Sequence, residues 1–226
     1  MGAGANRLGY QIYKDAARTT IWDSSSTGQY AVLLTPGSPS ASLPTYGRVA
    51  GGQQIVPPGT YSSTITISIG GAAYNGTPPL TNCPSLGVIG TRTFVVSATV
   101  VSACLVSVSN MNFGSTSFFN SNIDATSSVF VTCTNGTPYN VRLNGGTTGA
   151  TNPALRKMSL GANQITYGLY RNAARTLGWG DLDGTNTAPG TGTASSATHT
   201  VYGRIPPQAS VPPGVYTDTV IAVVSY

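Results

Sequence analysis

The sequence predicts an all-β protein built as a β-sandwich, and three observations support this. Charged residues make up 8% of the 226 residues, with two Lys and no Glu, against about 25% charged residues in an ordinary soluble domain. Gly (28) and Pro (15) supply many turn positions. Short apolar stretches alternate with Ser and Thr, which is the pattern of half-buried strands, and helix formers are scarce.

An internal repeat organises the chain. Residues 8–19 (LGYQIYKDAART) and 165–176 (ITYGLYRNAART) are identical at six of twelve positions, and the same offset of 157 aligns Trp22 with Trp179. Further matches follow at offsets of 156 and 155: Tyr46-Gly47-Arg48 with Tyr202-Gly203-Arg204, and Pro57-Pro58-Gly59 with Pro212-Pro213-Gly214. A repeat that drifts by so little indicates a duplicated domain.

The two copies are unequal in length. A lead-in from about Phe94 precedes the repeated part of the second copy, whereas Met1 aligns with the internal Met158. We therefore expect residues 1–74 to be the C-terminal half of a truncated first domain, 75–93 a Pro-rich linker, and 94–226 a complete domain. The natural chain is expected to begin upstream of Met1, so a signal peptide is absent from this chain. The alternative is a true start with a minimal first copy.

The expected strands follow from residue alternation. Ile65, Ile67 and Ile69 share one face of the last strand of the first copy. The second copy opens with Phe94 to Val108, which is long for one strand and is expected to be kinked or bulged. A later strand places Val129, Val131 and Cys133 on one face. By the repeat, the inward face of the final strand carries Val220, Ala222, Val224 and Tyr226.

Two of the cysteines fall on apolar strand faces. Cys104 and Cys133 lie 29 positions apart, and we predict a disulfide between them, with two buried thiols as the alternative. A disulfide indicates an oxidising compartment. Cys83 is left over in the linker, where it either has a partner upstream of this chain or is a free thiol.

Composition and motifs argue against an enzyme. His199 is the single histidine, and we predict that it is a solvent-facing strand residue. No group of residues has the spacing of a zinc site, and the run from Asp181 to Gly192 lacks the Glu that ends a calcium loop. The sequence therefore predicts no catalytic residue, no metal ligand and no cofactor.

Charge and hydropathy argue against a nucleic acid partner and against a transmembrane segment. The net charge is +5, but the basic residues are scattered between Arg7 and Arg204 rather than clustered in a stripe, so we expect no nucleic acid partner. No apolar run approaches the ~18 residues of a membrane-spanning helix, so we expect no transmembrane segment.

The repeated residues resemble a known family. They comprise Tyr167, Leu169-Tyr170-Arg171, Ala173-Ala174-Arg175-Thr176, Tyr202-Gly203-Arg204, Pro213-Gly214, Tyr216 and Asp218. Together they resemble the spore coat protein U domain, which is also the pilin domain of archaic, Csu-type, bacterial chaperone–usher pili. The resemblance covers about 94–226 in full and 1–70 as a second half, and it brings no catalytic activity.

The resemblance implies an immunoglobulin-like Greek-key sandwich that lacks its last strand. In such subunits a periplasmic chaperone fills the groove, and the N-terminal extension of a sibling subunit replaces it by strand addition at an usher. The implied location is secreted, first periplasmic and then on the cell surface. The groove is expected between the opening and final strands of the second copy, lined by Phe94, Val96, Ala98, Val100, Val220, Ala222, Val224 and Tyr226. A complete sandwich with an ordinary edge is the alternative.

The expected function is a non-enzymatic structural or adhesive subunit of a surface fibre. Two-domain members resemble the tip adhesin. A loop of the first copy is apolar and is a candidate for gripping an abiotic or host surface. It comprises Tyr30, Ala31, Val32, Leu33 and Leu34. The alternative is that these residues form a core strand. The alternative function is a secreted coat or matrix protein, or a sugar-binding module, that is not assembled by chaperone and usher.

Overall fold

Every regular element described in the computed structural model of the chain is a β-strand. The structure describes residues 1–25, 27–32, 40–70 and 88–226. They divide into two units, Met1–Val100 (unit 1) and Val101–Tyr226 (unit 2). Within the described ranges, no helix is long and apolar enough to cross a membrane. Cys83 lies outside the described residues.

Unit 1 holds two small antiparallel sheets. Its strands are β1 (Gly2–Ala3), β2 (Asn6–Arg7), β3 (Tyr10–Tyr13), β4 (Tyr46–Val49), β5 (Gly59–Gly70) and β6 (Val88–Val100). The sheet order is β2-β1-β5-β6, and β3 pairs with β4. A small core forms around the buried side chains of Leu8, Val56 and Tyr61.

Unit 2 is a two-sheet sandwich. Its strands are β7 (Cys104–Val108), β8 (Ile123–Cys133), β9 (Pro138–Leu143), β10 (Arg156–Leu160), β11 (Asn163–Tyr170), β12 (Ala188–Thr191), β13 (Ser196–Ile205) and β14 (Ala222–Ser225). One sheet has the order β10-β11-β13-β8-β7 and the other β12-β9-β14. The inward residues of both sheets form one apolar core that includes Val131, Val141 and Trp179, as expected when alternating strands pack face to face.

The domain duplication is visible in individual hydrogen bonds. Tyr13 lies opposite Tyr46 in the β3–β4 pair, as Tyr170 lies opposite Tyr202 in the β11–β13 pair. Arg18 and Arg175 both adopt a left-handed backbone conformation, with φ of 59° and 56°. Their Nε atoms donate to the carbonyls of Gly47 (3.1 Å) and Gly203 (3.0 Å). This shared side-chain contact helps to hold a conformation that non-glycine residues rarely adopt.

The two copies differ in what covers the conserved tryptophan. Trp179 is fully buried, and its indole N–H donates to the carbonyl of Val141 on β9 at 2.9 Å. Trp22 is half-buried and packs against Tyr30 and Phe94. No strand equivalent to β9 is present among the described residues of unit 1.

The strand that opens the predicted second domain pairs with a strand of unit 1. Residues 94–100 belong to β6, which pairs along its length with β5 in unit 1. The predicted interruption of the stretch from Phe94 to Val108 is present at residues 101–103, which are not in a strand. Unit 2 begins there, so the predicted interruption falls at the boundary between the two units.

Replacing Arg156 should strongly destabilise unit 2. This fully buried guanidinium donates hydrogen bonds to the carbonyls of Leu143, Asn144, Pro153 and Trp179. In Arg156→Met those buried acceptors lose their donor, and we expect a loss of about 3 kcal/mol or more in the free energy of unfolding. The control is Arg142→Met, which removes an exposed ion pair with Asp183 and should cost less than about 1 kcal/mol. Equal effects in denaturant unfolding would contradict this account.

Candidate strand-acceptor groove

The core face of β7 carries apolar side chains that remain largely exposed. Val106 lies opposite Val131 and Val108 opposite Val129 in the β7–β8 pair, so all of them point toward the core. Val131 and Val129 are 1% and 2% exposed, whereas Val106 and Val108 are 43% and 57% exposed. The difference arises because β7 is the last strand of its sheet, with no further strand beside it among the described residues.

The final strand forms the facing wall. Val220, Ala222 and Val224 are half-buried and pack against the core, while Ile221 and Val223 between them are exposed. β14 pairs with β9 on one side and has no strand partner on its other side among the described residues of unit 2. Since β7 and β14 lie near each other, the apolar strip between them is a candidate acceptor groove, called the acceptor groove below. Its residues are Val106, Val108, Val220, Ala222 and Val224. Tyr226, predicted to face inward, is 62% exposed.

A disulfide fixes the β7 wall to the sheet. Cys104 and Cys133 are bonded, as predicted, and lie directly opposite each other in the β7–β8 pair. One residue beyond this pair on each strand, the amide of Thr134 donates a hydrogen bond to the carbonyl of Ala103 at 2.9 Å. The start of β7 is therefore covalently anchored, although its outer edge has no strand beside it.

The predicted opening wall of the groove is on a different strand. Phe94, Val96, Ala98 and Val100 are half-buried on one face of β6, as their alternation predicted, but Ala98 and Val100 pack against the core of unit 1. The structure places these four residues in the β5–β6 pair, so their contribution to a groove with Val220 stays a prediction. Alternation identifies the inward face of a strand and carries no information about its partner strand.

Unit 1 shows how the strand equivalent to β14 is covered. The repeat aligns β5 with the end of unit 2, and the alignment is marked by Tyr61 and Tyr216, whose hydroxyls donate to Pro57 and Pro212 at 2.7 and 2.8 Å. β6 pairs antiparallel with β5 from Gly59↔Val100 to Gly70↔Val88. The edge that is open on β14 is thus occupied on β5.

A hydrogen-bond network positions the segment that leads into β14. The Tyr167 hydroxyl donates to Asp218 at 2.5 Å, and Thr147 donates to the same carboxylate through its amide and hydroxyl at 2.7 and 2.6 Å. Burial raises the pKa of Tyr167. Burial alone would raise the pKa of Asp218 as well, but the hydrogen bonds from Thr147 and Tyr167 hold it below its usual value. Tyr167 and Asp218, two residues of the motif given above, are thus joined in one network.

The candidate surface-gripping loop is only partly described. Tyr30 is half-buried, and its hydroxyl lies 2.9 Å from the carbonyl oxygen of Lys14 and 2.7 Å from that of Pro44, so it can donate its one proton to either. The Tyr30 side chain is therefore engaged within unit 1. Ala31 and Val32 are exposed and are not in a strand, which excludes the core-strand alternative for them. Leu33 and Leu34 lie outside the described residues.

His199 does not face solvent as predicted. It is half-buried, and its Nε2 lies 2.9 Å from the hydroxyl of Tyr139. Burial lowers the pKa of His199. The alternation of β13 indicates that His199 faces inward, because His199 shares its face with Val201, which is buried. No cluster of three or more potential metal ligands occurs in the part of the chain that the structure describes.

Sequence comparison identifies the family. Residues 1–68 and 90–223 match the Spore Coat Protein U domain. The chain belongs to the Spore Coat Protein U family. The second match begins at residue 90, within β6, so the Spore Coat Protein U pattern assigns to the second copy a strand that pairs with the first copy.

Two known proteins are similar to this chain. Protein U of Myxococcus xanthus is 35% identical over 74 residues, which are 32% of this chain and 41% of that protein, so the match spans less than half of the relative. The fold is similar to that in the crystal structure of a chaperone–tip adhesion subunit pre-assembly complex from archaic chaperone–usher Csu pili of Acinetobacter baumannii. The TM-score is 0.58 at 21% identity, covering 97% of this chain and 77% of that chain. The likeness confirms the all-β sandwich.

Proposed function

We propose that the chain is a non-enzymatic structural subunit of a secreted bacterial surface fibre, assembled by strand addition to unit 2. The observation that carries this proposal is the exposure of Val106 and Val108 on the core face of β7. An apolar edge of this kind promotes aggregation unless another strand covers it. A strand inserted between β7 and β14 would place alternate side chains over these valines.

Unit 1 supports the proposal with an example from the same chain. β6 lies on the edge of β5 that corresponds to the open edge of β14, and its inward side chains include Phe94, Val96 and Ala98. An occupant of the acceptor groove should therefore be an extended segment with apolar residues at every second position.

The proposed partners are those that strand addition to unit 2 requires. The similar solved subunit is held in a complex with a chaperone. For this chain we propose a periplasmic chaperone that protects the acceptor groove before assembly, then an usher and a sibling subunit that supplies the final strand. The path runs through the periplasm to the cell surface, where the disulfide between Cys104 and Cys133 is compatible with an oxidising environment.

The position in the fibre is proposed from the two-unit organisation of the chain. The edge of β5 is already covered by β6, so the described part of the chain offers one acceptor groove, in unit 2. Every subunit of such a fibre receives one strand, and it is the additional unit 1 ahead of the acceptor unit that fits a tip adhesin. The exposed Ala31 and Val32 are candidates for surface contact there.

Immunogold electron microscopy in the native host tests this function. A chain that carries an epitope tag should be found at the ends of surface fibres, with the Ala222→Asp variant absent from them. Label spaced along the fibres would contradict the terminal position. Label spread over a coat or matrix without fibres would support the alternative of a secreted structural protein.

A further inference from the structure

A cavity of about 260 Å³ lies at one end of unit 2. It is located where β11 ends and β13 continues beyond their shared pairing. The residues around it include a guanidinium, an imidazole and two aromatic rings: Arg171, Trp179, Ala188, His199, Thr200 and Tyr202. The acceptor groove does not include any of these residues, and the proposed function leaves them without a role.

The duplicated first copy shows what fills the equivalent place. Lys14, the counterpart of Arg171, donates through its ammonium group to the carbonyls of Thr27 (2.5 Å) and Gln29 (2.9 Å). Arg171 donates through its guanidinium group to the carbonyls of Thr185 (3.3 Å) and Thr187 (2.5 Å). These matched contacts align Gln29 with Thr187. Tyr30, the next residue in unit 1, therefore corresponds to Ala188, the next residue in unit 2.

The Tyr30 side chain makes contacts that all have counterparts around the cavity. Its ring centroid lies 5.6 Å from that of Trp22 and 5.7 Å from the Lys14 ammonium, and its hydroxyl lies within hydrogen-bond distance of the carbonyls of Lys14 and Pro44. The repeat aligns these residues with Trp179, Arg171 and Thr200, each of which lines the cavity. The cavity in unit 2 therefore corresponds to the place that a phenol ring occupies in unit 1.

We propose that this cavity is a binding site for a phenol ring supplied by another molecule. The ring would pack against Trp179 beside the Arg171 guanidinium, as Tyr30 packs against Trp22 beside Lys14. The Nε atom of Arg171 is buried and has no hydrogen-bond partner among the described residues, so it offers a donor for a ligand oxygen. The source is either a free phenolic compound or a tyrosine side chain of another polypeptide.

The walls of the cavity favour a polar aromatic ligand over a purely apolar one. Where unit 1 has Leu43 and Pro44, unit 2 has His199 and Thr200. Arg171 supplies a cation at the mouth, and cations interact favourably with aromatic faces. A phenol combines the ring that the shape fits with the hydroxyl that the polar wall can bind.

Titration of the isotope-labelled full chain with 4-methylphenol tests the proposal by NMR. The indole N–H of Trp179 and the Nε–H of Arg171 should shift with a dissociation constant of about 1 mM. Toluene, which lacks the hydroxyl, should bind at least about threefold more weakly. In a separate arm, N-acetyltyrosinamide should bind as well if a polypeptide supplies the ring, and should fail if the cavity takes only free phenols.

Ala188→Tyr provides the decisive variant, because it introduces the ring that the first copy carries. It should weaken 4-methylphenol binding at least about tenfold, whereas the exposed Ala209→Tyr should leave binding unchanged. Ala188→Met fills part of the same cavity and serves if Ala188→Tyr does not fold. The proposal is overturned if the wild-type signals do not move, or if they move equally in the cavity-filled variant.

Discussion

Replacing Ala222 by aspartate should abolish strand binding by unit 2. Ala222 is half-buried on the inward face of the acceptor groove, where an inserted strand would seal it from water. A carboxylate at that position would be buried without a partner, which costs several kcal/mol, and this corresponds to a loss of more than about 100-fold in affinity. The measurement is the binding of a synthetic peptide with the sequence of residues 88–100 to the full-length chain.

The matched control is Val223→Asp. Val223 is the next residue on the same strand, but it is 47% exposed on the outward face, so its carboxylate would stay in water and peptide binding should be retained. Both variants should keep the near-ultraviolet circular dichroism of the wild type. Equal binding by both variants would mean that the peptide does not enter the groove.

Replacing Val96 by aspartate should open unit 1. Val96 lies on the inward face of β6, opposite Ser63 on β5, and the small core of unit 1 depends on β6 because it includes contributions from Ala98 and Val100. The buried charge should detach β6 from β5. Hydrogen exchange of the amides in residues 59–70 should then become at least about 100-fold faster, while exchange in unit 2 is unchanged.

Val95→Asp is the control for this second prediction. Val95 is 65% exposed on the opposite face of the same strand, so its replacement should leave the protection of β5 as it is. If Val96→Asp also leaves that protection unchanged, β6 does not stabilise unit 1 and the comparison between β6 and an inserted strand loses its basis.

Local sequence patterns predicted much of the fold. The alternation of Val220, Ala222 and Val224 placed them inward, and the apolar faces of Cys104 and Cys133 predicted the disulfide; the structure confirms both. The repeat predicted a duplication that is present down to the hydrogen bonds of Arg18 and Arg175. These features depend on neighbouring residues or on similarity between the two copies, and both are visible in the sequence itself.

Strand partners could not be predicted in the same way. Val100 and Cys104 have the same parity, so the sequence carried no sign that the first packs in unit 1 and the second in unit 2. The correspondence of Tyr30 with Ala188 was also hidden, because the loops differ in length and only the contacts of Lys14 and Arg171 align them. Pairing and loop register are set by long-range contacts that local periodicity does not encode.

The central claim is that unit 2 is completed by an added strand, and thermal unfolding of a fusion tests it most directly. A second copy of residues 88–100 would follow Tyr226 after a flexible linker as long as residues 71–87, which join β5 to β6. The control is the same fusion with Asp in place of the valine that corresponds to Val96. We expect the unfolding temperature of unit 2 to rise by roughly 10 °C or more, with new amide protection along β14, and to stay near the wild-type value in the control. An unchanged unfolding temperature in both fusions, with no protection gained along β14, would contradict the account.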